Sequence, residues 1–145
     1  MSGAWTRLLA FDYGLKRIGI AAGNRLTRTA TPLKTLSPGT PPPWPAIDAL
    51  FAEWRPDLIV VGEPGAGADA ALRTALSDFV AELGRRYERP VAAVDESHSS
   101  TAAAEELRAG RRKGLYNRRL QPGQVDQLAA CLIAEQWMSQ ALERT

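Results

Sequence analysis

The sequence predicts an α/β protein built on a mixed sheet of about five strands with helices on both faces. Short continuous apolar runs, Leu58–Val61 and Val91–Val94, are typical of strands that are covered on both sides. These runs alternate with stretches whose apolar residues recur at helical spacing. A pair of apolar segments near the start of the chain, Leu8–Phe11 and Ile18–Ala22, predicts a hairpin of antiparallel strands that extends the same sheet.

The first segment of the chain predicts three strands in succession. The hairpin turns at Tyr13–Lys16, where Gly14 permits tight backbone geometry. Gly19, inside the second strand, indicates that another part of the molecule approaches the backbone closely. Ala30–Leu36 predicts a third strand, and the proline-rich stretch from Ser37 to Pro45 predicts a connector, since proline fixes φ and lacks an N–H.

The remainder predicts helices that alternate with the two buried strands. Apolar spacing from Ile47 to Trp54 indicates a helix that ends before Pro56. Apolar stripes predict two longer helices, from Leu72 to Tyr87 and from Val125 to Trp137. Between them we expect a helix capped by Ser100 or Thr101 and a basic loop over residues 110–121 that is mobile in the free protein.

Composition narrows the class of protein. The chain is 45% hydrophobic and 23% charged, which is ordinary for a globular protein. Its length predicts a single domain over residues 1–145. A single cysteine excludes a disulfide framework and a cysteine-based metal site. The apolar runs are too short to span a bilayer, and the N-terminus lacks the pattern of a signal peptide. We therefore expect a cytoplasmic protein without a membrane partner.

The cationic residues are unevenly distributed although the net charge is only +2. Up to Ile47 the chain has six cations and one acid, and from Leu107 to Val125 it has six cations and no acid. The cations of the second segment are Arg108, Arg111, Arg112, Lys113, Arg118 and Arg119. Two cationic segments in a nearly neutral chain indicate a polyanionic partner, although solvated surface arginines are the alternative.

Acids stand at the predicted strand ends, where α/β proteins place their sites. Asp12 follows the first strand directly, and Asp95 and Glu96 follow the last one. Asp126 lies in the predicted first turn of the last helix, beside small alanines that would let this helix press close to the sheet. As simpler alternatives, Asp126 is a helix N-terminal acid and Asp95 a turn residue. Neighbours on a strand point opposite ways, so only one of Asp95 and Glu96 should face the site.

Converging carboxylates require a cation, because they otherwise repel one another. Mg²⁺ or Mn²⁺ suits oxygen ligands, and two such ions about 4 Å apart can activate a water and stabilise the leaving oxygen of a phosphodiester. With the cationic segments, this chemistry indicates hydrolysis of a nucleic-acid backbone. Six cations are candidate phosphate contacts: Lys16, Arg17, Arg111, Arg112, Lys113 and Arg118. An ion pair with Asp12 is the alternative for the first two, and Asp95 and His98 are accessory candidates.

Four motifs resemble those of the YqgF family, in the same order and over nearly the whole chain. "FDYGLKRIGIA" resembles its opening motif, acid–x–Gly–x–Lys–Arg–Ile–Gly, and "LIVVGEP" its middle strand. "VDESHSSTAAAEEL" resembles its Asp-Glu-Arg stretch, and "VDQLAACLIAEQW" its last helix. The resemblance implies an RNase H-like fold and a metal-dependent nuclease that matures the 5′ end of pre-16S rRNA in ribosome biogenesis. Carried over by motif, the catalytic and metal-binding acids are Asp12, Glu96 and Asp126.

Two departures from the family pattern keep other functions open. Ser97 stands where the family has arginine, and residues 65–71, "GAGADAA", lack the usual Asn and Asp-Gly. A non-catalytic nucleic-acid-binding protein on the same fold is therefore one alternative. A Holliday junction resolvase is another, which would act on four-way DNA junctions as a dimer. The expected partners are structured RNA, branched DNA and a ribosomal precursor particle, and the sequence leaves the oligomeric state open.

Overall fold

The computed structural model describes residues 5–39, 41–65, 67–95 and 122–143. These residues form five strands and three helices. In chain order the elements are β1 (Arg7–Tyr13), β2 (Ile18–Asn24), β3 (Thr29–Leu36), α1 (Trp44–Trp54), β4 (Leu58–Glu63), α2 (Ala70–Tyr87), β5 (Val91–Asp95) and α3 (Pro122–Glu143). Each predicted strand is present, extended by one to three residues.

The strands form a single mixed sheet in the order β3-β2-β1-β4-β5. β1 pairs antiparallel with β2 and β2 with β3, while β1 pairs parallel with β4 and β4 with β5. The carboxyl ends of β1, β4 and β5 therefore meet at one edge of the sheet. This arrangement confirms the predicted mixed sheet, with its antiparallel hairpin and parallel strands.

Apolar side chains cover both faces of the sheet. Leu9 and Phe11 of β1 pack with Ile47 of α1 and Phe79 of α2, all at most 2% exposed. Leu8 and Ala10, which alternate with them along the strand, pack with Ile133, Ala134 and Met138 of α3 on the opposite face. The helices thus lie on both sides of the sheet, as the sequence predicts.

The carboxylate of Asp57 fixes the start of β1 against the start of β4. Its Oδ2 accepts hydrogen bonds from the backbone N–H groups of Thr6, at 2.9 Å, and Arg7, at 3.0 Å. These bonds hold the pKa of the Asp57 carboxyl below its usual range. Because Asp12 lies at the other end of β1, this anchor also sets where Asp12 emerges from the sheet.

The three described helices all begin two or three residues earlier than the sequence predicts, α2 at Ala70. α1 starts at Trp44, inside the predicted connector, with Pro43 at its N-cap and Pro45 in its first turn. Proline is tolerated there because the first N–H groups of a helix have no intrahelical partner. α3 spans Pro122–Glu143 and so begins three residues before the predicted apolar stripe.

The predicted helix after Ser100 and the predicted mobile loop over residues 110–121 lie outside the described residues. Of the helices that the structure describes, none combines the length and the hydropathy that a membrane span requires.

Candidate active site

Asp12 lies at the end of β1 on the face of the sheet that α3 covers. It continues the alternation of Leu8 and Ala10, which both contact α3. Across the antiparallel hairpin, Asp12 is in register with Gly19 of β2. The apolar residues on this face of β1 are thus followed directly by a carboxylate, at the edge of the sheet where the parallel strands end.

Gly19 brings Asp126 to the same place. A Cβ at position 19 would overlap the backbone carbonyl of Asp126 and lie 3.0 Å from its Cβ, so only glycine permits this approach of α3 to the sheet. The close approach predicted from Gly19 is therefore confirmed, and its partner is the helix that carries the second acid.

Small residues continue this close packing along α3. Ala21 of β2 packs against Ala130 and Cys131, and all three are buried. At the start of the helix, the Thr35 hydroxyl of β3 donates a hydrogen bond to the carbonyl oxygen of Gly123. The alanines do let the helix press against the sheet, as predicted. The contact from Thr35 has no signal in the sequence, because it joins residues that are 88 positions apart.

Asp126 lies in the second turn of α3, because the helix begins at Pro122, and the first turn contains no acid. The prediction that Asp126 belongs to the first turn is thus wrong. The correction weakens the simpler interpretation of this residue, since the favourable interaction of an acid with the helix dipole falls off after the first turn.

The pKa of Asp12 is raised by its surroundings. Burial raises the pKa of Asp12 from 3.8 to about 6, and the negative charge of Asp126 acts in the same direction. A carboxyl in this position carries an energetic cost when it ionises, and a bound cation would remove that cost. The oxygen donors of Asp12 and Asp126 are also those that Mg²⁺ and Mn²⁺ prefer.

Arg17 forms an ion pair with Asp126. Its Nε donates to Oδ2 of Asp126 at 2.5 Å, and the side chains of the two residues are 47% and 20% exposed. The sequence suggests an ion pair with Asp12 as the alternative to a phosphate contact of Arg17, and in the structure the acid that Arg17 contacts is Asp126. Lys16, its neighbour in the turn, is exposed.

Asp95 lies on the other face of the sheet. It is in register with Glu63 at the end of β4, and both carboxylates line a cavity of about 630 Å³ between the sheet and α2. Arg73 of α2 lines the same cavity and donates to the carbonyl oxygen of Gly65 at 2.9 Å. The acids that the structure describes at this edge thus form two pairs, Asp12 with Asp126 and Glu63 with Asp95, on opposite faces of the sheet.

The other predicted site residues lie outside the described residues. They are Glu96, His98, Arg111, Arg112, Lys113 and Arg118. Within the part of the chain that the structure describes, no three His, Cys, Asp or Glu residues are grouped closely enough to hold a metal ion. Of the predicted site residues that the structure describes, Asp12, Asp126 and Arg17 come together, and Lys16 lies in the same turn as Arg17.

A family model described as "RuvX: Holliday junction resolvase" matches residues 6–140. The chain belongs to the RuvX family. This is the YqgF family that its motifs resemble, and membership makes the protein a nuclease, a hydrolase of phosphodiester bonds. The match includes β1, which carries Asp12, and the part of α3 that carries Asp126.

Relatives in two bacteria support this assignment over most of the chain. A Legionella pneumophila (strain Paris) protein named "Putative pre-16S rRNA nuclease" is 39% identical over 136 residues, which cover 92% of this chain and 95% of that one. A protein of the same name from Francisella tularensis subsp. novicida (strain U112) is 36% identical over 136 residues, with 92% and 96% covered.

Solved structures share the fold at low sequence identity. Thermus thermophilus RuvC in complex with a Holliday junction substrate has a TM-score of 0.63 and 17% identity, with 96% of each chain covered. The Holliday junction resolvase of fowlpox virus has a TM-score of 0.57 and 12% identity, with 93% of this chain and 99% of that one covered. These likenesses place the RuvX chain among folds of the RNase H-like resolvase type.

Proposed function

We propose that this RuvX-family chain is a divalent-metal-dependent nuclease that cuts structured RNA and processes the 5′ end of pre-16S rRNA. The observation that carries this proposal is the convergence of Asp12 and Asp126 from elements more than a hundred residues apart in the chain, with the pKa of Asp12 raised to about 6. A buried carboxyl at a sheet edge whose ionisation is made costlier by a second carboxylate is the arrangement expected of a cation site.

In this proposal Asp12, Asp126 and Glu96 hold one or two Mg²⁺ or Mn²⁺ ions. When bound, the metal supplies an activated water and stabilises negative charge on the phosphodiester oxygens. Asp12 is oriented by β1, and Asp126 is positioned by the contact of its backbone with Gly19. Because Asp95 faces the opposite side of the sheet, Glu96 remains the candidate from the β5 end.

The cations would hold the nucleic acid without reading its sequence. Lys16 and Arg17 lie in the turn after β1, the strand that carries Asp12, and both are exposed. Contacts from lysine and arginine to phosphates position a backbone but carry no base specificity. Arg111, Arg112, Lys113 and Arg118 are proposed as further phosphate contacts, and His98 as an accessory residue.

The test is cleavage of a pre-16S rRNA fragment with Mg²⁺, with Mn²⁺ and with EDTA. We expect cleavage only with metal, and a loss of at least about a hundredfold in Asp12→Asn, because electrostatic groups at a reacting centre contribute that much or more. Glu63→Gln is the matched control, since it also removes an acid at a strand end but on the other face. Cleavage in EDTA, or equal loss in the control, would contradict the metal site.

A DNA junction resolvase is the second candidate. It is favoured by the family description, which names a Holliday junction resolvase, and by the likeness to RuvC solved with a Holliday junction. Symmetric cutting of a junction requires two active sites and therefore a dimer. The same assay on a four-way DNA junction, with the oligomeric state measured by light scattering, separates the two: a monomer that cuts RNA faster than junctions supports rRNA processing.

A further inference from the structure

The ion pair of Arg17 with Asp126 leaves most of the guanidinium group unused. Only Nε donates to the carboxylate, and among the described residues the structure gives the two terminal amino groups of Arg17 no hydrogen bond. Almost half of the side chain is exposed to solvent. Within the described part of the chain, Arg17 is thus attached to the site by one contact, with donors left for a further partner.

Arg17 also serves only one of the two acids. It contacts Asp126, whereas within the described residues Asp12 has no ion-pair partner. Among the described residues, one positive charge therefore lies beside two carboxylates, and it occupies an oxygen that the proposed function assigns to a metal ion. A divalent cation and Arg17 cannot both take Oδ2 of Asp126 without competing for it.

The geometry of the turn allows Arg17 to leave without disturbing the strands. The backbone N–H of Gly14 donates to the carbonyl oxygen of Arg17 at 2.9 Å, which fixes the backbone at this point. A half-exposed ion pair is weak and readily exchanged, because water screens it. The side chain can therefore move while its own backbone and β2 remain in place.

We propose that Arg17 neutralises Asp126 in the metal-free protein, and that metal binding releases Arg17 to bind a backbone phosphate of the nucleic acid. This inference rests on the proposed metal site and adds a positioning residue that couples two binding events. The guanidinium group suits both partners, since its planar array of donors matches carboxylate and phosphate alike. Because coupling of two ligands is reciprocal, nucleic acid must then also strengthen metal binding.

The first test measures Mn²⁺ affinity in the free protein by the electron paramagnetic resonance signal of unbound Mn²⁺. Arg17→Met removes the competitor of the metal, so we expect about two- to fivefold tighter binding, the range given by a partly exposed ion pair. Lys16→Met is the matched control, because it removes the same charge from the same turn without freeing Asp126. Its effect should be clearly smaller.

The second test measures the affinity for a fluorescein-labelled RNA hairpin, with EDTA and with Ca²⁺, and checks on a gel that the RNA stays intact. With Ca²⁺ we expect Arg17→Met to bind the RNA about tenfold more weakly than the wild type, as for loss of a hydrogen bond to a charged group. With EDTA the same variant should lose much less. Lys16→Met should lose affinity equally in both conditions.

The outcomes separate this inference from the proposed function. A wild-type protein that does not bind Mn²⁺ overturns the metal site and the exchange with it. Wild-type binding with unchanged Mn²⁺ affinity in Arg17→Met, or an RNA loss that is equal with and without Ca²⁺, overturns the exchange alone. Circular dichroism checks that Arg17→Met is folded. If its helical signal is reduced, the same two affinities are measured in Arg17→Gln, which also removes the charge, and these values decide the test.

Discussion

The two faces of the sheet both carry a pair of acids at the edge where the parallel strands end, but the surroundings differ. On the α3 face, Asp12 is partly buried, and the approach of α3 to Gly19 holds Asp126 near it. On the α2 face, Glu63 and Asp95 are exposed and line an open cavity. The comparison shows that the residue type is shared, and that backbone packing is what distinguishes the candidate active site.

The two faces of the sheet also differ in the residues that fill their cores. The α1 and α2 face holds the aromatic cluster, in which Phe79 contacts Phe11, Tyr13 and Trp44 at centroid distances of 4.8–5.7 Å. On the α3 face, the buried cluster of Ala21, Ala130 and Cys131 consists of small residues, which let the backbones approach. We therefore expect substitutions on the first face to change mainly the free energy of unfolding, and substitutions on the second to change metal binding as well.

The largest effect is expected for Phe79→Ala. Removal of a buried phenyl ring should lower the free energy of unfolding by about 3–5 kcal/mol, through lost burial and the cavity left behind. Denaturant unfolding measures this, and the Mn²⁺ affinity of the folded variant should be unchanged. Leu26→Ala is the control, because Leu26 is 81% exposed and should change stability little. A large loss of Mn²⁺ affinity in Phe79→Ala would show that the two faces are not separable.

Gly19→Ala is expected to have the next largest effect. The new Cβ would overlap the carbonyl group of Asp126, which is backbone and cannot rotate away. We expect a loss of about 3 kcal/mol, at the upper end for overpacking, together with weaker Mn²⁺ binding, since α3 must shift. Calorimetry and the Mn²⁺ titration check the two parts. Wild-type Mn²⁺ affinity in a destabilised variant would mean that this contact does not position Asp126.

The pH dependence of stability tests the environment of Asp12. A carboxyl whose pKa is raised from 3.8 to about 6 stabilises the fold while it is protonated. This contribution is complete below about pH 4 and is lost as the pH rises through about 6. Relative to Asp12→Asn, the metal-free wild type should thus lose on the order of 2 kcal/mol of unfolding free energy over this range.

Urea unfolding at several pH values in EDTA measures this loss. Asp95→Asn, on the other face, should retain the part of the pH dependence that is due to Asp12. If Asp12→Asn and the wild type instead change in parallel with pH, the raised pKa of Asp12 would be contradicted.

The smallest effect is expected for Gly84→Ala, which sharpens the contrast with Gly19. A Cβ at position 84 of α2 would lie 3.8 Å from a methyl group of Val91, an ordinary contact. Alanine should therefore stabilise the helix by about 0.5–1 kcal/mol, because glycine loses more backbone freedom on folding. Thermal unfolding measures the gain. The same substitution would then have opposite signs on the two faces of one sheet.

The sequence predicts the sheet well because its strands are continuous apolar runs, and it predicts the contact at Gly19 because a glycine inside such a run often marks a close backbone approach. It fails at the starts of α1 and α3, where prolines look like helix breakers but occupy first-turn positions. Strand alternation predicts that only one of Asp95 and Glu96 faces the site; Asp95 lies on the α2 face, and Glu96 is outside the described residues.

The pairing of Arg17 with Asp126 could not be predicted in the same way. The two residues are 109 positions apart, and no local pattern identifies the partner of an exposed arginine. The family motifs supply Asp12 and Asp126 as site residues, but only the structure reveals that a cation of the chain itself already contacts one of them.

Gly19 has a consequence for experiments that substitute every position of the chain. It has no side chain to touch a substrate, a metal or a proton, yet the spacing between the two acids depends on it. A complete mutational scan scored by activity would rank position 19 with Asp12 and Asp126, and a chemist who examined functional groups would overlook it. A residue without a side chain is thus as intolerant of substitution as the two acids, because any Cβ at position 19 would displace Asp126.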